Sequence, residues 1–443
     1  MKYPLVAVIF LVTGSASSLL LLQSEESSLF RPWNQAFLDK LVATTAPETA
    51  PMKLLTRSKL VSKGATHRRN EAGVTFLRIR PADFEKGKLN PRLDWAILLN
   101  SLLKFKPRAA GIVPPLRWDD RDVLTEGALA KQVKQMPPMV LGAILSPSQP
   151  GAAQPNLAAS FSSLDRITGD RSHLLQASQV AAMPDDELLI NGKPGFTHIE
   201  LQKELSGGPN GLRFPLICRL GDRVVPSFPL QLVMSREGLL PDDVQIQLDG
   251  PRPQIQIGDK HSIPVDSTGC LAIHPSLTRA FPLIDFASLA LAASDFQDVA
   301  AQLRDATKDD LDSLGKNTVA IGFDDESLQE FPLPSGEKVS RAHLLSMAVA
   351  AIQSGFVVTS WPKGVRLLFL LSLLIIGMLV LTLPRWLSAC AGLFAGVAYL
   401  GMTWFLFQQS LVWAPPWPAL MLCLVMSAVG AALPRKNRKR KWF

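Results

Sequence analysis

Hydrophobic positions along this chain change period three times. Residues 5–22 form a largely apolar run, interrupted by Thr13 to Ser18, and residues 367–383, 386–407 and 411–433 form three more in quick succession. A run of about 18 residues is the minimum that crosses a ~30 Å hydrocarbon core. The pattern therefore predicts one N-terminal and three C-terminal transmembrane helices, with more than three hundred mostly polar residues between them.

That middle stretch alternates strand-like and helix-like pieces. Val74-Thr75-Phe76-Leu77-Arg78-Ile79 reads as a strand, and Leu93, Ile97, Leu98 and Leu102 recur at helical spacing over 93–103. Residues 109–113 read as a second strand, 122–135 as a helix and 138–145 as a third strand. Such alternation predicts a parallel sheet covered by helices. Residues 146–195, rich in Pro, Ala and Ser, read as an outward loop. Residues 213–220, 244–248 and 254–257 read as antiparallel hairpins, with turns at Gly221-Asp222 and Asp249-Gly250. Helices are expected over 33–41, 284–292, 295–306 and 341–352, and a buried strand over 318–323. The fold class expected is an α/β domain, a mixed sheet with flanking helices, joined to an α-helical membrane region. The divisions are 1–23 as anchor, 24–72 as linker, 73–362 as the extracytoplasmic domain, 363–434 as three spans and 435–443 as a basic tail.

Charge fixes an orientation. The formal charge is +8, and eleven Lys or Arg with no acid lie beyond residue 337, so the first 337 residues carry −3. Nucleic acid is not an expected partner of a body with that balance. Lys2 precedes the first apolar run and Glu25-Glu26 follow it, Arg385 lies in the first short link, and six basic residues follow Pro434. These charges place both termini in the cytoplasm and the large domain outside it, with Lys363 and Arg366 as a minor exception. Trp361, Trp386, Trp413 and Trp417 fall near the expected interfaces. Gly14-Ser15-Ala16-Ser17-Ser18 also resembles a cleavage site, so a removed signal peptide stands beside an uncleaved anchor. Gly392 and Gly396 would let another helix approach closely, or are simply glycines of a membrane helix. The later spans carry no Asp, Glu, Lys, Arg or His, which argues against a channel or transporter. The tail at 435–441 suits an anionic leaflet, with docking of a cytoplasmic partner as an additional role.

A series of short blocks resembles the CHASE2 family, an extracytoplasmic sensory domain of bacterial membrane proteins. The carrying residues are Asn90-Pro91-Arg92, then Gly211-Leu212-Arg213-Phe214-Pro215-Leu216, Gly221 and Pro226-Ser227-Phe228. Further blocks are Ile263-Pro264-Val265-Asp266-Ser267-Thr268-Gly269, the run from Leu314 to Gly322, and the segment 334–343 with Ala342-His343. Tryptophans of the first block are missing. Where family members carry acids at the ends of the first two strands, this chain has Arg78-Ile79-Arg80 and Val113-Pro114-Pro115. The resemblance implies a bacterial inner-membrane protein that binds an extracytoplasmic ligand, often as a homodimer, and acts on a membrane or cytoplasmic signalling partner. The usual output domain is expected to be absent. The altered strand ends raise a second expectation, a structural or assembly factor of the cell envelope.

Catalytic signatures are not apparent in the sequence: it has no GxSxG, HExxH, P-loop or GxGxxG after a strand. No cofactor, metal site or enzymatic activity is expected. Asp324-Asp325-Glu326 follows a strand, where it either holds a cation or is a solvated loop. Arg213 either meets a ligand carboxylate or pairs within the fold. His343 is a ligand contact or an ordinary packed helix residue, and Asp266 makes a capped turn. Cys390 and Cys423 are packing residues, whereas Cys218 and Cys270 are either bonded to each other or unpaired in the core.

Overall fold

A computed structural model describes residues 36–37, 41, 72–80, 83, 92–118, 122–146, 160–199, 212–250, 252–293, 308–325, 329–333, 338–361, 363–380 and 385–432. The chain divides into two compact units, Ala46–Val358 and a second made of Met1–Thr45 with Thr359–Phe443.

The larger unit runs β1 (Val74–Ile79), α1 (Arg92–Leu103), β2 (Ala109–Ile112), α2 (Val123–Gln135) and β3 (Met139–Ser146). Then come β4 (Ile167–Thr168), β5 (Gln176–Ala177), β6 (Gln179–Ala182), α3 (Asp186–Leu189) and β7 (Gly192–Ile199). The small strands β8 (Leu212–Pro215), β9 (Ile217–Leu220) and β10 (Arg223–Pro226) lead into α4 (Phe228–Glu237). After β11 (Val244–Gln247), β12 (Gln254–Ile257), β13 (His261–Pro264) and β14 (Cys270–Ile273) the chain returns to the main sheet. It does so with β15 (Leu283–Asp285), α5 (Phe286–Ala292), α6 (Lys308–Leu314) and β16 (Thr318–Phe323), and closes with β17 (Gln329–Pro332), β18 (Lys338–Ser340) and α7 (Arg341–Ser354).

The main sheet has the order β15-β1-β16-β2-β3-β7, every neighbouring pair parallel. Ile144 and Leu145 pair with both β6 and β7, so antiparallel β6 extends the sheet on the side of β2, beyond the end of that strand. A parallel sheet is buried on both faces, and its strands read as near-continuous apolar runs; β2 does so, β16 does after Thr318, and β1 does apart from Thr75 and Arg78. Leu77, Ile79, Ala110, Ile112, Leu141, Val319 and Ile321 point to one face and share a core with α1, α2, α5 and α6. The opposite face carries α4 and α7.

Those two helices lie close against the sheet because three strand positions lack a side chain. A Cβ on Gly111 would stand 2.6 Å from the ring of Phe228, one on Gly195 2.7 Å from the Phe228 backbone, and one on Gly322 2.3 Å from the Ala342 Cβ. Consecutive residues of both helices are buried, Phe228 to Ser235 in α4 and Ala342 to Ile352 in α7. Each helix ends at a left-handed glycine, Gly238 and Gly355, both at φ 68°, the conformation a helix stop favours.

Several expectations need correction. The stretch 146–195 is not an outward loop where it is described. Phe161, Leu164, Leu174 and Leu188 are buried, and β7 is a strand of the main sheet whose last residues reach beyond that stretch. Its Pro194 and two glycines disguise it, since both glycines admit a close neighbour: Leu141 against Gly192 and Phe228 against Gly195. The helix expected over 284–292 begins two residues later, because Leu283–Asp285 is an edge strand. The 295–306 helix lies outside the described residues. Near the N-terminus Ala36, Phe37 and Leu41 are helical. Cys218 and Cys270 are both buried free thiols, so they are not bonded to each other.

In the smaller unit, β19 (Thr359–Ser360) precedes α8 (Lys363–Val380) and α9 (Arg385–Ser410), and β20 (Val412–Trp413) precedes α10 (Trp417–Ala432). Among the described residues one window, Cys390–Phe407, is long and apolar enough to cross a membrane, with mean hydropathy 1.6. The apolar parts of the other two helices, Gly364–Ile376 and Trp417–Ala428, are shorter. The run 411–433 is not helical throughout, since β19 pairs with β20 and the helix starts only after Pro416. The apolar run 5–22 lies outside the described residues. Among the described residues, twelve of the nineteen exposed large hydrophobic ones lie on α8, α9 and α10, Phe394 and Val397 among them, far more than a water-facing bundle of that size tolerates. Gly392 and Gly396 face α10, where a Cβ on Gly392 would stand 2.2 Å from Ser427 Oγ. The close helix approach expected at this pair of glycines is therefore made within the chain.

Gly195→Val should cost about 1–3 kcal/mol by overpacking, whereas Gly127→Ala, at an open position within α2, should gain up to about 1 kcal/mol. Urea unfolding of the two variants checks both signs.

Candidate functional site

Adjacent strands β1 and β16 send the chain to opposite faces. After β1 it enters α1, which packs against Leu77 and Ile79. After β16 it passes through β17 and β18 to α7, whose His343 ring lies 5.4 Å from that of Phe76. Open parallel sheets bind ligands outside the carboxyl ends of strands at such a reversal. A cleft of about 380 Å³ opens at this place, lined by Arg78, Thr278, Arg279, Leu283, Asp324, Lys338, Val339 and His343.

Local structure explains how these groups converge. Arg78 is the penultimate residue of β1, and its Nε donates to Asp285 Oδ1 at 2.7 Å across the parallel pair β1–β15. Arg80 Nη2 reaches the other oxygen of Asp285 at 3.4 Å. Asp324 follows β16, and its backbone N–H donates to Ile79 O at 3.0 Å. Ser340 caps α7 by accepting the His343 N–H at 3.2 Å. The His343 imidazole, between Phe76 and Phe281, holds Nδ1 4.0 Å from Asp324 Oδ2. Its Nε2 is buried without a hydrogen-bond partner among the described residues.

Burial pushes the Asp324 carboxyl up. The His343 and Ser340 side chains and the charges of His343 and Arg78 outweigh burial, and the net displacement is downward. Elsewhere in this unit, burial lowers His198 and His274 to about 4, the charge of Arg341 adding to the effect at His198.

The residues singled out from sequence divide between two places. Asp324 and His343 line the cleft, and Asp325 is the next residue. Arg213 does not line it: its guanidinium donates to Asp266 and to Thr268 Oγ1 across the β8–β14 pair, so this arginine pairs within the fold. Asp266 Oδ1 accepts from the backbone N–H of Thr268 at 2.9 Å and of Cys270 at 3.0 Å, and Gly269 turns at φ 75°. Arg92 at the start of α1 lies 3.8 Å from Asp185 and over the Trp118 ring. Gly221, at φ 62°, makes the β9–β10 turn. Pro215 and Pro226 end strands, Ser227 occupies the α4 N-cap and Phe228 opens the helix. Pro91, Gly211 and Glu326 lie outside the described residues. The resemblance blocks that are described therefore mark turns, caps and close approaches.

Sequence reading missed Arg279, Lys338 and Asp285 as neighbours of this crevice. Arg78 was visible only as a departure from the acids expected at a strand end. A larger hollow, of about 440 Å³, lies over β4, β11 and β12, where exposed Asp165 and Arg166 stand beside Gln245, Gln247, Gln254 and Gln256. No buried titratable group lines it, and the strand-end cleft is the stronger candidate. Among the described residues, no three of His, Cys, Asp and Glu gather closely enough to hold a metal ion. Comparison of the chain with protein-family models, with curated proteins and with solved structures finds no match.

Stability should fall as pH drops from about 6.5 to 4. The fold lowers His198 and His274, so each contributes stability that is complete above its unfolded value and lost on protonation, up to about 3 kcal/mol apiece. His274→Phe should flatten that fall in pH-dependent urea unfolding. Asp324→Asn should destabilise at neutral pH, and its deficit should vanish only at lower pH, as the wild-type carboxyl protonates.

Proposed function

We propose that this chain is a membrane-anchored extracytoplasmic module of the CHASE2 type that binds a ligand in the crevice between β1 and β16 and acts through a partner protein. The carrying observation is the union of cleft and helix: Asp324, Ser340 and His343 meet where α7 begins. That helix ends at Ser354, shortly before the second unit opens at Thr359. The module binds its ligand without transforming it. Its place is the bacterial inner membrane, with one span before the body, three after it, the body outside the cytoplasm and both termini inside. The exposed apolar residues of α8–α10 support contact with lipid, and the basic tail supports an inner-leaflet position.

A structural or assembly role in the cell envelope is the second reading. Arg78 and Arg80 both engage Asp285, which partly satisfies the strand ends without any ligand.

Alkaline phosphatase fused after Val358 should be active in cells, and a fluorescent protein fused after Phe443 should fluoresce. The reverse pattern would refute the topology. Crosslinking in native membranes should trap a signalling protein under the first reading, and only envelope-assembly components under the second.

A further inference from the structure

The crevice carries a charge pattern that names a ligand class, on the reading that it is a ligand site. We propose that it takes a small molecule bearing an oxyanion, a carboxylate or a phosphate, held by Lys338 and Arg279, with Arg78, already paired to Asp285, lining the same crevice. Three of its lining residues are cationic and one is acidic. The neighbouring acids are already occupied. Asp285 receives Arg78 and Arg80, and Asp83 accepts the backbone N–H of Arg80 at 2.7 Å. Asp324 is 9 % exposed and engaged by His343 and Ser340, so it presents little to an incoming cation.

Lys338 is the opposite case. It is exposed, and its ammonium has no ion-pair or hydrogen-bond partner among the described residues. It stands two residues before the Ser340 cap of a 14-residue helix whose amino end adds positive potential at the same mouth. Isolated, these surface charges would mean little. Gathered at a strand-order reversal around a 380 Å³ space, they set the electrostatics of whatever enters. That volume lies at the small end of ligand pockets, which span roughly 300–1,000 Å³, so the ligand is of metabolite size and not a polymer.

The test uses the full chain in detergent micelles. Inorganic phosphate, citrate, choline and trehalose are titrated at constant ionic strength, and binding is read by calorimetry and by the rise in unfolding temperature. Saturable binding of phosphate or citrate is expected, and the two arms separate a phosphate site from a carboxylate site. Lys338→Glu should weaken it at least tenfold, with the unliganded unfolding temperature unchanged, and Lys338→Arg should retain it. Anion binding that survives both Lys338→Glu and Arg279→Gln would place the anion elsewhere and overturn the proposal. Choline or trehalose binding in place of the anions would overturn the ligand class but leave the crevice reading standing. Silence from all four probes would remove both.

Discussion

The larger unit depends on one constraint: a parallel sheet must be dry on both faces, and among the described residues two helices of any length cover its second face. On the first face, α1, α2, α5 and α6 share the core with the short α3. On the second, α4 and α7 compensate for their number by proximity. Their approach is set by Gly111, Gly195 and Gly322, where even a methyl group would collide. Close packing leaves little tolerance for such an intrusion. The same proximity brings the first turn of α7 down onto the end of β16, so the crevice results from covering the sheet.

Charge at the strand ends follows similar logic. Arg78 sits on the α7 face with a quarter of its side chain exposed, and a partly buried cation requires a partner. Asp285 supplies it from the neighbouring parallel strand, and Asp324 adds its field from the other side. The expected acids at the end of β1 are thus replaced by cations, while acids arrive from β15 and from the turn after β16. An inverted arrangement of this kind preserves local neutrality next to the sheet. It also leaves Lys338, on the outer rim, without a partner among the described residues.

Much of the sheet was legible because its strands obey simple rules. β2, β3 and β16 are short, mostly apolar runs, α1 is legible as a helix although Leu93 and Ile97 of its expected apolar face are exposed, and the turns at Gly221 and Gly250 follow from backbone preference. The failures have a physical source. β7 contains Gly192, Pro194 and Gly195, which lower strand propensity, but its geometry is imposed by the neighbours it must admit. α4 is buried continuously from Phe228 to Ser235, so it lacks the polar face that marks a surface helix. β15 is three residues long and merges into α5. The site was half legible: Asp324 and His343 could be flagged by position, but Arg279, Lys338 and Asp285 come from segments whose convergence depends on strand order. No local pattern encodes that order.

α7 joins these threads. One of its ends carries Ser340 and His343 at the crevice, and nearly all its middle is buried against the sheet and its neighbours. A helix packed so continuously cannot relax turn by turn, because each local shift would open voids along the sheet. Any displacement imposed at its amino end must therefore be taken up by the helix as a body, or not occur. The left-handed Gly355 beyond its last turn is the first place where the chain can absorb a change in direction. An effector that binds the displaced and resting positions equally well shifts nothing. On the proposed reading, signalling would consequently require a ligand whose contacts with Lys338, Arg279 or His343 differ between two placements of α7.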